Sequence, residues 1–98
     1  MIYKIVVTPD AIENIENAVN YYKNIASPKV AKLFIDDYRK TFKDIQKTKY
    51  FQFFFEDFRC KPMKKFPYVV FHTIDEDIKV IIIKAVFHTS KNPNKYPK

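Results

Sequence analysis

Two residues in the second half of this chain are suited to chemistry on a charged partner. Arg59 is one of two arginines among 18 basic residues, and its planar guanidinium can bind a phosphate or a carboxylate through two parallel hydrogen bonds. A structural ion pair with Glu56 is the alternative. The unperturbed pKa of histidine lies near neutral pH, so an imidazole such as that of His88 suits general acid or base catalysis. The alternative is a structural role, in which His88 ends a strand and hydrogen-bonds to the backbone.

A cluster of lysines follows Arg59 along the chain. Lys61, Lys64 and Lys65 precede Phe66, and lysines interleaved with aromatic rings suit single-stranded nucleic acid or, equally, an acidic protein. A solvated strand edge is the structural interpretation of the same lysines. Tyr96, near the C-terminus, has a ring that could stack on a base. These residues predict a surface that binds phosphate or another anionic target.

Three further residues are interpreted as structural. His72 lies within an apolar stretch and is predicted to be a satisfied histidine of a sheet. Cys60 is predicted to be a small buried hydrophobic residue. Arg39 lies beside Asp36 and Asp37 in a helical stretch, which predicts an ion pair at the surface.

The composition limits the classes of site that the chain can hold. It has no glycine, which excludes the P-loop and the dinucleotide-binding fingerprint because both need backbone conformations that glycine permits. One cysteine and two histidines are poor material for a structural zinc site, so we predict no metal and no cofactor. The net charge of +7 is concentrated in residues 49–98, which hold ten basic and five acidic residues, and it favours an anionic partner.

The length of 98 residues predicts a single domain over 1–98 with a core of its own. No apolar run approaches the roughly 18 residues that a membrane span needs. The apolar stretch at the N-terminus is too short for a signal peptide. We therefore expect a cytoplasmic protein with no membrane partner.

The first half of the chain predicts a strand and two helices. The β-branched run 2–7 is typical of a strand. Thr8-Pro9 then supplies a helix cap and a first helical residue, and an apolar stripe predicts a helix to about Asn24. Ser27-Pro28 repeats the start signal, and a second stripe predicts a helix to about Lys47. Two helices joined by so short a turn form an antiparallel hairpin.

The second half predicts three strands. Phe58 and Cys60 alternate with Arg59 and Lys61, which predicts a half-buried strand with Arg59 on its outward face, limited by Pro62. Strands over 68–74 and 78–87 follow, joined by an acidic turn at 75–77. Alternation along the last strand predicts that one face of the sheet carries Ile81, Ile83, Ala85 and Phe87. The opposite face carries Ile82, Lys84, Val86 and, just after the strand, His88.

The elements occur in the order β-α-α-β-β-β. They predict an α+β fold, with the helical hairpin packed on a small, mostly antiparallel sheet. The aromatic run 51–55 is expected to cover one end of the core or to face a partner. Residues 89–98 are expected to form a loose tail.

Several segments, in order along nearly the whole chain, resemble the RelE/ParE superfamily of bacterial toxins. The matching segments are Val7-Thr8-Pro9-Asp10-Ala11, Ala18-Val19-Asn20-Tyr21-Tyr22, Ser27-Pro28, Ala31-Lys32-Leu33-Phe34, Arg59, Lys65-Phe66-Pro67-Tyr68-Val69-Val70-Phe71, and Ala85-Val86-Phe87-His88-Thr89-Ser90-Lys91-Asn92-Pro93. The resemblance implies the toxin of a type II toxin–antitoxin module, which arrests growth when free. It also implies a cognate antitoxin that wraps and blocks the toxin, as part of a hetero-oligomer.

The superfamily divides over its target. RelE-like members cut messenger RNA on the ribosome, as metal-independent endoribonucleases, whereas ParE-like members inhibit DNA gyrase and cut no RNA. The resemblance places an arginine at Arg59 and a histidine at His88, which would be catalytic in a nuclease. RNA-cutting members gather Arg, His and Tyr at the C-terminus, whereas here Tyr96 stands eight residues beyond His88. We therefore favour the ParE-like action, with ribosome-dependent cleavage, or a non-toxic basic binding module of the same fold, as alternatives.

Overall fold

The computed structural model describes residues 3–48, 53–55 and 58–89, and these residues form two helices and five strands. In chain order the elements are β1 (Lys4–Val7), α1 (Pro9–Ile25), α2 (Pro28–Lys47), β2 (Phe53–Phe55), β3 (Phe58–Pro62), β4 (Tyr68–Asp75) and β5 (Val80–His88). The helical hairpin and the three later strands are confirmed, with ends within two residues of those predicted. The short strand β2, inside the aromatic run, was not predicted.

The five described strands form one mixed sheet in the order β1-β5-β4-β3-β2. The edge strand β1 runs parallel to β5, and the other neighbours are antiparallel. Both helices pack on one face of this sheet, and α1 lies against β5. The predicted α+β fold is therefore confirmed, with a parallel pair at one edge.

Both helices begin at the caps that the sequence predicts. The Thr8 hydroxyl accepts a hydrogen bond from the Ala11 N–H at 3.3 Å, and it donates to the Ile83 carbonyl at 2.8 Å. The Ser27 hydroxyl accepts from the Val30 N–H at 3.2 Å. Thr8 therefore caps α1 and also ties the start of this helix to β5, an inner strand of the sheet.

Replacement of Thr8 by alanine is expected to lower the free energy of unfolding by about 1–2 kcal/mol, because a cap and a tertiary hydrogen bond are lost together. Urea unfolding measures the change. Thr8→Ser keeps the hydroxyl and should stay within about 0.5 kcal/mol of the parent. Ser27→Ala removes a cap alone, so a loss as large as that of Thr8→Ala would contradict the tie to β5.

The main core lies between the hairpin and the sheet. Phe34 of α2 is fully buried, and its ring contacts the rings of Tyr22, Tyr38, Phe66 and Tyr68, with centroids 5.1–5.9 Å apart. Most of these contacts have the edge-to-face or tilted geometry that aromatic pairs prefer. This aromatic cluster joins both helices to the start of β4.

A β-bulge in β5 changes which residues face the core. Phe71 pairs with Ala85, but the next residue of β4, His72, pairs with Ile83, so Lys84 is an extra residue in β5. The alternation predicted for this strand is therefore wrong beyond Ile83. Val86 lies on the helix side with Ile83, and Ala85 lies on the opposite side, because one extra residue exchanges the two faces.

The side of the sheet without helices carries apolar residues of its own. Phe71 and Ala85 are cross-strand partners there, and both are buried. The ring of Phe87 lies 6.2 Å from that of Phe71. Cys60 pairs with Phe71 from β3, which places Cys60 on this face. The sheet is thus apolar on both sides at its centre.

Candidate functional site

Arg59 lies on the helix side of β3 and is half-buried. It pairs directly with His72, which is fully buried on the side that carries the core, and directly paired residues share a face. The predicted outward position of Arg59 is therefore wrong. The reason is that Phe58 and Cys60 join the apolar residues of the opposite face instead of the main core.

The lysines of the predicted cluster are divided between a strand and a loop. Lys61 lies two residues beyond Arg59 on the same side of β3, opposite Val70, and is half-buried. Lys64 and Lys65 are exposed in the connection between β3 and β4. The structure therefore gathers Arg59 and Lys61 along one strand, with the two other lysines beyond its end.

Asp37 of α2 holds the lysine-bearing connection. Its Oδ2 accepts hydrogen bonds from the backbone N–H groups of Lys65, at 2.9 Å, and Phe66, at 3.1 Å. Asp37 is only 4% exposed, so the predicted surface pairing with Arg39 is wrong for this carboxylate. This anchoring role was not predicted from the sequence. The one sign of it is that Asp37 lies on the same side of α2 as the apolar stripe, where a carboxylate needs a hydrogen-bond partner.

His88 ends β5 beside the aromatic cluster of the core. It pairs with Tyr68, and the two rings are in edge-to-face contact with centroids 5.1 Å apart. Burial and the neighbouring Tyr22 raise the pKa of the Tyr68 hydroxyl, so this phenol stays protonated at neutral pH. The backbone continues in register for one more residue, where the Thr89 N–H donates to the Pro67 carbonyl at 2.9 Å.

The register separates Arg59 from His88. Arg59 lies opposite His72, and His88 lies opposite Tyr68, which precedes His72 by four residues in β4. Four residues of strand span about 13 Å, and two strand spacings add about 10 Å across the sheet. The two Cα atoms are therefore about 16 Å apart, so the structure does not bring these two residues together.

Of the remaining candidate residues, some lie in the sheet and others lie outside the described residues. His72 is fully buried in β4, which confirms its predicted position in the sheet. Its Nδ1 atom forms no hydrogen bond within the described part of the chain, so the prediction of a fully satisfied ring is wrong for this nitrogen. Cys60 is only half-buried, so its predicted burial is wrong in degree, although desolvation still raises the pKa of its thiol and keeps it protonated. Tyr96, Glu56 and the tail over 90–98 lie outside the described residues.

Among the described residues, no group of three or more His, Cys, Asp or Glu side chains could hold a metal ion. No helix in that part of the chain is long and apolar enough to cross a membrane.

A match to a protein-family model identifies the family of this chain. The model described as "ParE toxin of type II toxin-antitoxin system, parDE" matches residues 5–93. The chain belongs to the ParE toxin family. The match spans every described helix and strand of this ParE-family chain apart from the first residue of β1.

Solved structures share the fold of this ParE-family chain. A chain from the chromosomal ParDE toxin–antitoxin system of P. aeruginosa is 14% identical and superposes with a TM-score of 0.78 over 90% of this chain and 97% of that one. A chain from the toxin–antitoxin complex RelBE2 of Mycobacterium tuberculosis is 13% identical, with a TM-score of 0.60 over 90% and 99%. At these identities the likeness shows the fold alone. No functionally curated protein matches the chain.

An apolar groove lies between the two helices of this ParE-family chain. Two adjoining cavities of about 330 and 300 Å³ share Ile15, Glu16 and Tyr38 in their walls. Ile12 lines the first of these cavities and is 45% exposed. We refer to this surface as the hairpin groove. Exposed apolar surface of this kind is typical of a site that contacts another protein.

Proposed function

We propose that this chain is the toxin of a type II toxin–antitoxin pair, neutralised by a cognate antitoxin, and that the free toxin inhibits DNA gyrase without cutting messenger RNA. We expect the toxin to act in the cytoplasm, where both proposed partners, DNA gyrase and the antitoxin, are found. The observation that carries the choice of target is the separation of Arg59 from His88.

Cleavage of RNA beside a ribose needs a base, an acid and a cation around one phosphodiester. Arg59 and His88, the pair that a nuclease would use, have Cα atoms about 16 Å apart by the sheet register. His88 also packs its ring against Tyr68. Both side chains would have to extend toward each other to reach one scissile phosphate, and the packed position of the His88 ring opposes this, which supports an action other than RNA cleavage.

The chemistry of the open sheet face also favours a protein target. Between β3 and β5 the described side chains of this face include Phe58, Cys60, Phe71 and Phe87. Lys84, at the bulge, is the one cation among the described residues of this part of the face. Recognition of an RNA backbone draws on several cations, whereas an apolar face fits burial against another protein.

The hairpin groove is the surface that we assign to the antitoxin. Its exposed apolar side chains would be covered by an apolar segment of the partner, as in other complexes in which an amphipathic segment fills a groove. The net charge of +7 on the toxin predicts an acidic partner by charge complementarity. A small gene beside the toxin gene is the expected source.

Growth arrest by variants of His88 separates the two targets. We expect His88→Phe, which keeps a ring against Tyr68 but cannot transfer a proton, to arrest growth at the same induction level as the parent chain, within about twofold. A DNA-damage reporter should respond to the parent and to the variant alike, because an inhibited gyrase leaves damaged DNA.

A matched variant keeps this test interpretable. His88→Ala removes the ring, and co-purification of each variant with the antitoxin checks that it is folded. If His88→Phe is folded and bound by the antitoxin but loses growth arrest, and messenger RNA is cleaved by the parent chain, the gyrase proposal is wrong and ribosome-dependent cleavage replaces it.

A further inference from the structure

A second concave surface lies on the other side of α1 from the hairpin groove. It is a cleft of about 480 Å³ between the first three turns of α1 and the end of β5, and we refer to it as the α1/β5 cleft. Asp10, Glu13 and Asn14 form its polar wall, and Phe58 and Phe87 supply apolar surface. The cleft thus combines carboxylates with aromatic rings.

The walls of the cleft are fixed to each other by a hydrogen bond. The Oδ1 atom of Asn14 accepts from the backbone N–H of Val86 at 3.1 Å. The neighbouring strand β1 ends at Val7, which pairs with Ile83, so none of the described strands pairs with β5 on this side beyond that residue. Asn14 takes the place of a strand there, and it holds α1 at a set distance from β5.

The polar wall carries negative charge in a strongly basic chain. Residues 9–22 contain three acidic residues and no basic one, whereas the chain has a net charge of +7. In the part of the chain that the structure describes, neither Asp10 nor Glu13 forms an ion pair with another side chain. These two carboxylates are therefore available to an external cation.

The combination selects one kind of ligand. An arginine or lysine side chain has an aliphatic stem that packs on aromatic rings, and a charged head that pairs with carboxylates. A phosphate group would be repelled by Asp10 and Glu13, so nucleic acid does not fit this cleft. Lys84, also at the cleft, reduces the negative charge but leaves an excess of one.

We propose that the α1/β5 cleft binds a basic side chain of the antitoxin, and that this contact fixes the register of the antitoxin on the toxin. The proposal rests on the antitoxin partner of the proposed function, but not on gyrase as the target. Ile12 lines the hairpin groove and the adjacent Glu13 lines the cleft. An antitoxin segment that leaves the groove over α1 therefore reaches the cleft within about one helix diameter, roughly 10 Å.

Charge reversal at Glu13 tests the proposal with purified toxin and antitoxin. Glu13 is exposed, so Glu13→Lys should fold, which thermal unfolding checks. We expect its affinity for the antitoxin, measured by calorimetry, to fall at least about tenfold, because a desolvated charge contact becomes a repulsion. Asp77→Lys makes the same change of net charge in the exposed β4–β5 turn and should stay within about twofold.

A charge-swap series then identifies the partner residue. Each arginine and lysine of the antitoxin is replaced by glutamate in turn, and one of these variants should restore binding to Glu13→Lys while weakening binding to the parent. Equal affinities for Glu13→Lys and Asp77→Lys, or a series without any restoring variant, would overturn the cleft proposal alone. If the parent chain binds no neighbouring-gene antitoxin, the antitoxin partner fails, and this proposal with it.

Discussion

Replacement of Phe34 by alanine is expected to destabilise the chain by about 3–5 kcal/mol. The ring is fully buried and contacts four other aromatic rings that belong to α1, α2, the β3–β4 connection and β4. Its removal leaves a cavity at the point where the hairpin meets the sheet. Because a domain of this size has a total stability of about 5–15 kcal/mol, the variant should be barely folded at 37 °C.

Thermal and urea unfolding of Phe34→Ala measure this effect, and the neighbouring Leu33 provides the control. Leu33 is 44% exposed in the same turn of α2, so Leu33→Ala should change the free energy of unfolding by no more than about 1 kcal/mol. Similar losses for the two variants would contradict the position of the aromatic cluster at the centre of the core.

Replacement of Asp37 by alanine is expected to cost about 2–3 kcal/mol. The substitution removes the carboxylate that accepts two backbone hydrogen bonds. The N–H groups of Lys65 and Phe66 then lose their acceptor. Asp37→Asn keeps an oxygen in the same place but loses the charge, so its cost should be about 1 kcal/mol. Urea unfolding of the two variants gives both values.

The adjacent Asp36 supplies the control for Asp37. Asp36 is exposed on α2, and Asp36→Ala should lie within about 0.5 kcal/mol of the parent. Hydrogen exchange adds a local test, since the amides of Lys65 and Phe66 should lose protection in Asp37→Ala before the rest of β4 does. Unchanged protection of these two amides would contradict the anchoring role of Asp37.

The helices and their ends could be predicted from the sequence because their signals are local. Thr8-Pro9 and Ser27-Pro28 each place a capping hydroxyl before a residue with a fixed φ angle, and both helices begin there. The strand β2 gave no comparable signal. Its three residues are all phenylalanine, and a uniform apolar run has no alternation by which a strand can be recognised.

The arrangement of the candidate site depended on features that no local pattern encodes. The extra residue at Lys84 exchanges the faces of β5 beyond it, and a bulge of this kind leaves no mark on composition or spacing. The distance between Arg59 and His88 follows from the register of three strands, which is a tertiary property. Asp37 was misassigned because its partners are backbone groups 28 and 29 residues away.

Negative supercoiling of relaxed plasmid by purified DNA gyrase, with increasing amounts of the chain, tests the central claim most directly. We expect supercoiling to be inhibited in proportion to the added chain and restored when the antitoxin is added in equal amount. His88→Phe should inhibit as the parent does. Full supercoiling activity at a large excess of folded chain would contradict inhibition of gyrase as its function.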